Sequence, residues 1–245
     1  MAQPRLLTTL LILSALTGQG APALAFALRD QDGQSLHGQI LREALSNKIC
    51  AKNLEFISQS ADRTAPEAKS DFFGKGNLKS GLGYVEREQK IILNYAQDAD
   101  LSARSRYRTL FHVGRLMRVA QDFYSQSNYV ELQAERHKEK LGPAFDPYQI
   151  ELVDWSKLNY SEYLKRGNKS LNDGGRPKEN EEEGKDRLGS ATYYKVAKDL
   201  ATRESVRQWD LLMALIRQKY PKRSASIITA LKEVKAEPVK DDEID

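Results

Sequence analysis

A row of three polar side chains stands near the middle of the chain, at Arg118, Asp122 and Gln126. Residues four apart share one face of an α-helix, so the row places a cation, a carboxylate and an amide side by side. Zinc requires about four ligands that each offer a lone pair, and the guanidinium of Arg118 offers none because it stays protonated. The row therefore predicts an ion pair between Arg118 and Asp122, with Gln126 hydrogen-bonded to the second carboxylate oxygen. We call this predicted arrangement the polar pin.

Histidine is too scarce in this chain for extensive metal chemistry. Only His37, His112 and His137 are present. His112 precedes Asp122 by ten residues, about 15 Å of helix rise, so these two side chains cannot ligate one ion. His137 lies in the charged stretch "QAERHKEK", which is typical of an exposed helix. Three scattered histidines exclude a cluster of several zinc ions, so we expect no cofactor, with zinc in a single reduced site as the alternative.

Hydrophobic periodicity predicts that helices position these residues. Apolar residues recur at helical spacing over residues 36–49, behind an N-cap at Ser35, and again over residues 84–96 and 102–125. A long helix is predicted over residues 190–220, where Pro221 ends it, and a last helix over residues 224–234. The sequence has neither the alternation typical of strands nor a Gly-rich phosphate loop. The pattern predicts an all-α protein built as a helical bundle.

The stretch "GRLMRVAQDFYSQSNYVEL", residues 114–132, resembles a known superfamily. Its members are the helical zinc-dependent phospholipases C, the fungal single-strand-specific nucleases and the Het-C-type heterokaryon-incompatibility proteins. Het-C-like members carry a His, an Asp and a second His at four-residue intervals inside a phrase like "QDFYSHSNW-E". The phrase here keeps the Asp as Asp122 but has Arg118 and Gln126 at the two histidine positions. The resemblance implies a helical bundle of the zinc-dependent phospholipase C type.

The resemblance extends more weakly to both sides and implies further site residues. "SLHGQILREAL" is similar to the first helix of the family and places His37 where a zinc ligand stands. "SADRTAPEAKSDFF" looks like the region that supplies an Asp, here Asp62, and a His, which is absent. Asn168 and Glu204 occupy two further places where the family commonly has histidine. A single metal site made of His37, Asp122 and Glu204 remains open, beside the interpretation that Arg118 replaces the metal.

Two functions from different classes follow from these residues. The favoured hypothesis is a non-catalytic protein on a phospholipase C or nuclease-like scaffold that binds a protein partner or a membrane surface. The replacement of zinc-binding histidines of the family by Arg118 and Gln126 supports this hypothesis. The alternative is a metal-dependent phosphodiesterase, a phospholipase C or a nuclease, with a reduced single-metal site. Nucleic acid is a less favoured partner because the positive charge, a formal net charge of +4, is mild.

The start of the chain indicates export. An arginine at position 5, an apolar run over residues 6–16 and small residues around position 25 have the layout of a cleaved secretory signal. We expect residues 1–25 to be removed and the protein to be periplasmic or secreted. No later segment is apolar enough to span a bilayer.

The remaining organisation is that of one domain. Residues 26–236 are expected to fold as a helical domain, interrupted by a mobile charged excursion at about 165–190 and followed by an acidic tail over residues 237–245. Cys50 is the only cysteine, which excludes an internal disulfide. An inert thiol is favoured over a cross-link between two chains.

Overall fold

A computed structural model describes residues 35–63, 73, 78–158, 178 and 184–236. Several of the sequence predictions fall elsewhere in the chain. The predicted signal peptide, Asn168, most of the predicted excursion and the acidic tail lie outside the described residues.

The described part of the chain forms seven α-helices and one short hairpin. In chain order these are α1 Leu36–Leu45, α2 Ala51–Arg63, α3 Leu78–Ala96, α4 Ala103–Gln126, α5 Tyr129–Leu141, β1 Arg187–Leu188, β2 Ala191–Thr192, α6 Tyr193–Lys219 and α7 Ser224–Glu233. The two strands pair antiparallel, and three single 3-10 turns, at Gly142–Ala144, Pro147–Gln149 and Trp155–Lys157, follow α5. The predicted all-α helical bundle is confirmed.

Hydroxyl side chains begin three of these helices. The Oγ of Ser35 accepts a hydrogen bond from the backbone N–H of Gly38 at 3.0 Å, so the predicted N-cap of α1 is present. Ser102 caps α4 in the same way, and Thr192 caps α6. Each cap satisfies one backbone N–H that has no partner within its helix.

Two helices were not predicted from the sequence. Helix α2 buries Leu54, Ile57 and Ala61 at helical spacing, but the polar residues between them obscured the pattern. Helix α5 begins directly after α4, where Ser127 ends α4 in an extended conformation. The helices predicted from periodicity are therefore present as α1, α3, α4, α6 and α7, whereas α2 and α5 were missed.

Helix α4 is the central element of the bundle. It packs against α2, α3 and α6, while α1 packs against α2 and α6. Helices α2 and α4 approach closely at Gly114, where an added Cβ would lie 2.4 Å from the carbonyl oxygen of Ile57. The close approach brings the end of α2 to the same level as the middle of α4.

Aromatic rings fill the core around the last turns of α4. The ring of Phe123 lies 5.1 Å from Phe73, 5.3 Å from Trp155 and 5.4 Å from Tyr129 between ring centroids. Tyr124 packs edge-to-face against both Phe123 and Tyr129. This cluster covers the end of α4 that carries Asp122, so polar groups there are removed from solvent.

The described parts of the predicted excursion pack against the domain. Lys178 is fully buried, and its Nζ donates to the carbonyl oxygen of Ser127 at 2.9 Å and to Glu131 at 3.1 Å. Leu188 in the hairpin is also buried. At these residues, the chain contributes to the fold instead of projecting from it.

The end of the described chain closes over the start of α2. The backbone N–H of Cys50 donates to the carbonyl oxygen of Lys232 at 2.7 Å, and Asn53 bonds to the carbonyl oxygens of Leu231 and Val234. Cys50 itself is a free, half-buried thiol. None of the helices in the described residues has the length and hydrophobicity needed to cross a bilayer.

Candidate functional site

The predicted ion pair on α4 is present and buried. Nε of Arg118 donates to Oδ2 of Asp122 at 3.3 Å, and the side chains are 3% and 0% exposed. A second donor of the guanidinium, NH1, bonds to the carbonyl oxygen of Ala61 on α2 at 3.1 Å. Arg118 thus joins the end of α2 to the carboxylate on α4.

Gln126 does not take part in this pairing. It is the last residue of α4 and is half-buried, and no hydrogen bond joins its side chain to Asp122. The second carboxylate oxygen, Oδ1, instead lies 3.3 Å from Nε2 of His37 on α1. The place predicted for Gln126 in the polar pin is therefore taken by His37, which precedes Asp122 by 85 positions in the chain.

A directed chain of hydrogen bonds orients the His37 ring. The hydroxyl of Ser205 donates to the carbonyl oxygen of Ala201 at 2.8 Å, so its oxygen accepts from Nε2 of Gln121 at 2.9 Å. The amide oxygen of Gln121 is then the acceptor that faces Nδ1 of His37 at 2.6 Å. Nδ1 therefore carries the hydrogen of this bond, and Nε2 is the nitrogen that faces Asp122.

The His37–Asp122 contact is close but incompletely satisfied. Both side chains are fully buried. Oδ1 of Asp122 has no hydrogen-bond partner, although Oδ2 has Arg118. A buried carboxylate oxygen without a donor is costly, so this atom is the least satisfied point of the cluster.

Glu204 lies in a separate, saturated network on α6. Oε2 accepts from the Tyr124 hydroxyl at 2.8 Å and from Arg207, while Oε1 accepts from the Trp155 indole N–H at 2.8 Å and from Gln208 at 2.7 Å. Burial raises the pKa of Tyr124 well above its usual range, and the negative charge of Glu204 raises it further. Tyr124 is therefore a neutral donor to a fully committed carboxylate.

Asp62 is half-buried and accepts a hydrogen bond from the hydroxyl of Ser35. Ser35 in turn caps α1, which carries His37, so Asp62 supports the position of that helix. Within the described residues, no three His, Cys, Asp or Glu side chains lie together as a metal site would require. The predicted set of His37, Asp122 and Glu204 is consequently not brought together.

The other two histidines stand apart from this cluster. Nδ1 of His112 bonds to Oε2 of Glu88 on α3 at 2.7 Å. The ring of His137 is half-buried, with its centroid 6.0 Å from that of Phe145. Neither residue reaches Asp122 in the described hydrogen bonds, which agrees with the separation expected for His112.

Several residues of these networks were missed by the sequence reasoning. Gln121, Ser205, Tyr124 and Trp155 were not singled out as members of a polar site. Local spacing could indicate only Arg207 and Gln208, which follow Glu204 by three and four residues. The contacts of Gln121 with His37 and Ser205, and those of Tyr124 and Trp155 with Glu204, join residues 49 to 84 positions apart, so spacing along one helix could not reveal them.

Comparison of the chain with protein-family models, with curated protein sequences and with solved structures finds no match. The resemblance to the zinc-dependent phospholipase C superfamily therefore rests on the quoted sequence phrases.

Proposed function

We propose that this protein is an exported, non-catalytic helical protein that acts by binding a partner, on a scaffold related to the zinc-dependent phospholipases C and single-strand nucleases. The observation that carries the proposal is the buried contact between Arg118 and Asp122. The Arg118 guanidinium, which is always charged, pairs with the carboxylate that family members would use to bind their metal.

The donor set at this position does not fit a zinc ion. Zinc would supply a metal-bound water for phosphodiester hydrolysis, and it needs about four ligands with available lone pairs. His37 and Asp122 offer one atom each, and the Arg118 guanidinium beside them would repel a divalent cation. The oxygens of Glu204 are already bound by four donors. These residues therefore do not form a site for zinc-dependent hydrolysis.

One observation favours the second candidate, a phosphodiesterase with a reduced metal site. Two ligands of a tetrahedral zinc ion, each about 2.0–2.1 Å from the metal, lie about 3.3 Å apart. Nε2 of His37 and Oδ1 of Asp122 are separated by 3.3 Å, and Oδ1 has no hydrogen-bond donor. This pair is compatible with one edge of a metal site, provided that Arg118 moves and further ligands come from elsewhere.

Metal content and turnover separate the two candidates. Purified protein is analysed for zinc, and hydrolysis of phosphatidylcholine and of single-stranded DNA is measured with and without chelator. We expect far less than about one zinc per chain and no chelator-sensitive turnover. Asp122→Ala is compared with Asp199→Ala, a part-exposed aspartate of α6. About one zinc per chain, with turnover that chelator and Asp122→Ala abolish and Asp199→Ala preserves, would overturn the proposal.

A further inference from the structure

A small aromatic cleft lies between α2 and α4. It is lined by the rings of Phe56, Tyr107 and Phe111, and Arg63 closes it at the end of α2. The ring of Phe56 packs edge-to-face on Tyr107, with the two centroids 5.3 Å apart. The cleft contains about 250 Å³ and is partly open to solvent. Because small-molecule pockets usually enclose about 300–1,000 Å³, this cleft is suited to a single aliphatic side chain.

The carboxylates of α2 are already engaged on the flank that faces α1. Glu55 forms an ion pair with Arg42 of α1 at 2.9 Å. Asp62 accepts a hydrogen bond from Ser35, the residue that caps α1. The negative charges of α2 are therefore committed to the contact with α1.

The flank of α2 beside the cleft carries cations instead. Four residues at intervals of four, three and four share this helical face, namely Lys52, Phe56, Gln59 and Arg63. Lys52 and Arg63 are exposed, and within the described part of the chain no ion pair or side-chain hydrogen bond involves either of them. The flank is therefore apolar at Phe56 and positive on both sides of it. Its complement is an aliphatic side chain with acidic neighbours.

The acidic tail, residues 237–245, has this composition. It contains five carboxylate side chains and one lysine. Ile244 stands between Glu243 and Asp245, and two further aspartates, Asp241 and Asp242, precede them. The tail thus offers one aliphatic side chain within an acidic stretch.

The tail also leaves the domain within reach of the cleft. The described part of the chain ends at Ala236, which is buried and donates its backbone N–H to Oδ1 of Asn53 at 2.8 Å. Asn53 adjoins Phe56 on the surface of α2 and precedes Arg63 by about 15 Å of helix rise. Nine residues of extended chain span up to about 30 Å, so the tail is long enough to follow α2 to its end.

We propose that the acidic tail docks along α2 with the side chain of Ile244 in the aromatic cleft. The tail runs from the start of α2 toward its end, so Asp241 lies near Lys52. Asp245 lies near Arg63. The two cations are separated by about 16 Å of helix rise, and the two aspartates by about 13 Å of extended chain. The long side chains of the cations cover the difference. This inference does not depend on the proposed function.

NMR of the full-length protein tests the docking directly. The protein is isotopically labelled in the methyl groups of isoleucine, and the Ile244 signal is identified by its absence in Ile244→Val. Nuclear Overhauser effects (NOEs) are measured between this methyl group and the three rings of the cleft. The docked fraction is read from the position of the methyl signal, with the protein unfolded in urea as the undocked reference.

Two charge variants provide the comparison. The cleft variant, Lys52→Gln/Arg63→Gln, removes both cations of the flank. The control variant, Arg217→Gln/Lys222→Gln, removes two exposed cations near the end of α6. Melting curves confirm that each variant is folded. If the cleft variant is not, Ile244→Ser replaces it, since that change lies in the tail and should shift the ring signals of the cleft.

We expect NOEs from the Ile244 methyl group to the rings of the cleft. The cleft variant should lower the docking equilibrium constant about 10-fold and the control variant less than about 2-fold, because exposed charges act over short distances at physiological salt. Absence of these NOEs in the folded protein, equal weakening by both variants, or ring signals unchanged by Ile244→Ser would overturn the inference. NOEs that arise only between differently labelled chains in a mixture would also overturn it, since the tail would then occupy a second copy.

Discussion

The contact between Arg118 and Asp122 gives the sharpest test of the reasoning. The change is Arg118→Met, which keeps most of the side-chain volume and removes the guanidinium. Asp122 is fully buried, and Arg118 is the residue that donates a hydrogen bond to its Oδ2. The substitution leaves a buried negative charge without its cation, and it removes the bond to Ala61 as well.

The magnitude follows from the burial of the pair. Removing one partner of a buried ion pair costs about 3–5 kcal/mol, because the desolvated charge that remains is uncompensated. In a domain of about 150–250 residues, 1 kcal/mol shifts the melting temperature by about 2–4 °C. We therefore expect Arg118→Met to lower the melting temperature by about 6–20 °C.

Helix α6 offers a matched control. Nε of Arg203 donates to Oδ2 of Asp199 across the same four-residue spacing, at 2.8 Å, and its NH2 bonds to the carbonyl oxygen of Ile150. Those side chains are 37% and 34% exposed. Because exposed pairs contribute about 0–1 kcal/mol, Arg203→Met should lower the melting temperature by no more than about 4 °C. Differential scanning calorimetry of both variants measures the contrast.

A second substitution tests the cause directly. Asp122→Asn removes the buried charge, so the double variant Arg118→Met/Asp122→Asn should recover at least half of the stability lost in Arg118→Met. Equal melting shifts for Arg118→Met and Arg203→Met would show that burial does not govern the pair. Purely additive losses in the double variant would show that the two side chains do not act together.

Two further substitutions test the packing of α4 and the α3–α4 contact. Gly114→Ala should lower the free energy of unfolding by about 1–3 kcal/mol in urea titrations, because the added methyl group meets the carbonyl oxygen of Ile57. Gly83→Ala, where no atom lies within 4 Å of the added methyl group, should raise the free energy of unfolding by about 0.5–1 kcal/mol. Equal effects of the two substitutions would contradict the close approach of α2 and α4 at Gly114. Burial, followed by the nearby charge of Glu88, raises the pKa of Tyr84 to about 12, so the native state keeps this proton where the unfolded chain loses it. Stability should therefore fall between about pH 10 and pH 12, and fall less in Tyr84→Phe, as monitored by melting temperature; parallel curves for both proteins would contradict this.

The sequence predicted what one helix determines by itself. The fold class, the cap at Ser35 and the contact between Arg118 and Asp122 follow from local periodicity and spacing. Gln126 has the spacing needed to reach Asp122, but it ends α4, and His37 from another helix faces the second oxygen instead. Helical spacing identifies candidate partners, and tertiary packing decides among them.

The environment of Glu204 shows the same limit from the other direction. Its position in the sequence suggested a metal ligand, but in the structure its carboxylate accepts hydrogen bonds from four side chains. Two of these donors, Tyr124 and Trp155, come from elements 80 and 49 residues away. Such a network depends on how α4, α6 and the turn at Trp155 pack together, and the sequence of any one of these segments does not predict that packing.

One row of arginines on α4 shows how the fold compensates buried positive charge. Arg104, Arg108, Arg115 and Arg118 follow one face of α4 from the exposed start of the helix into the core. Arg108 is half-buried and lies over the ring of Tyr95. Arg115 forms an ion pair with Glu88, and Arg118 bonds to the Asp122 carboxylate and to the carbonyl oxygen of Ala61. The compensation increases with burial, as the cost of desolvating a charge requires. Substitutions along the row should therefore cost more stability toward its end, and most at Arg118, where the ion pair is buried.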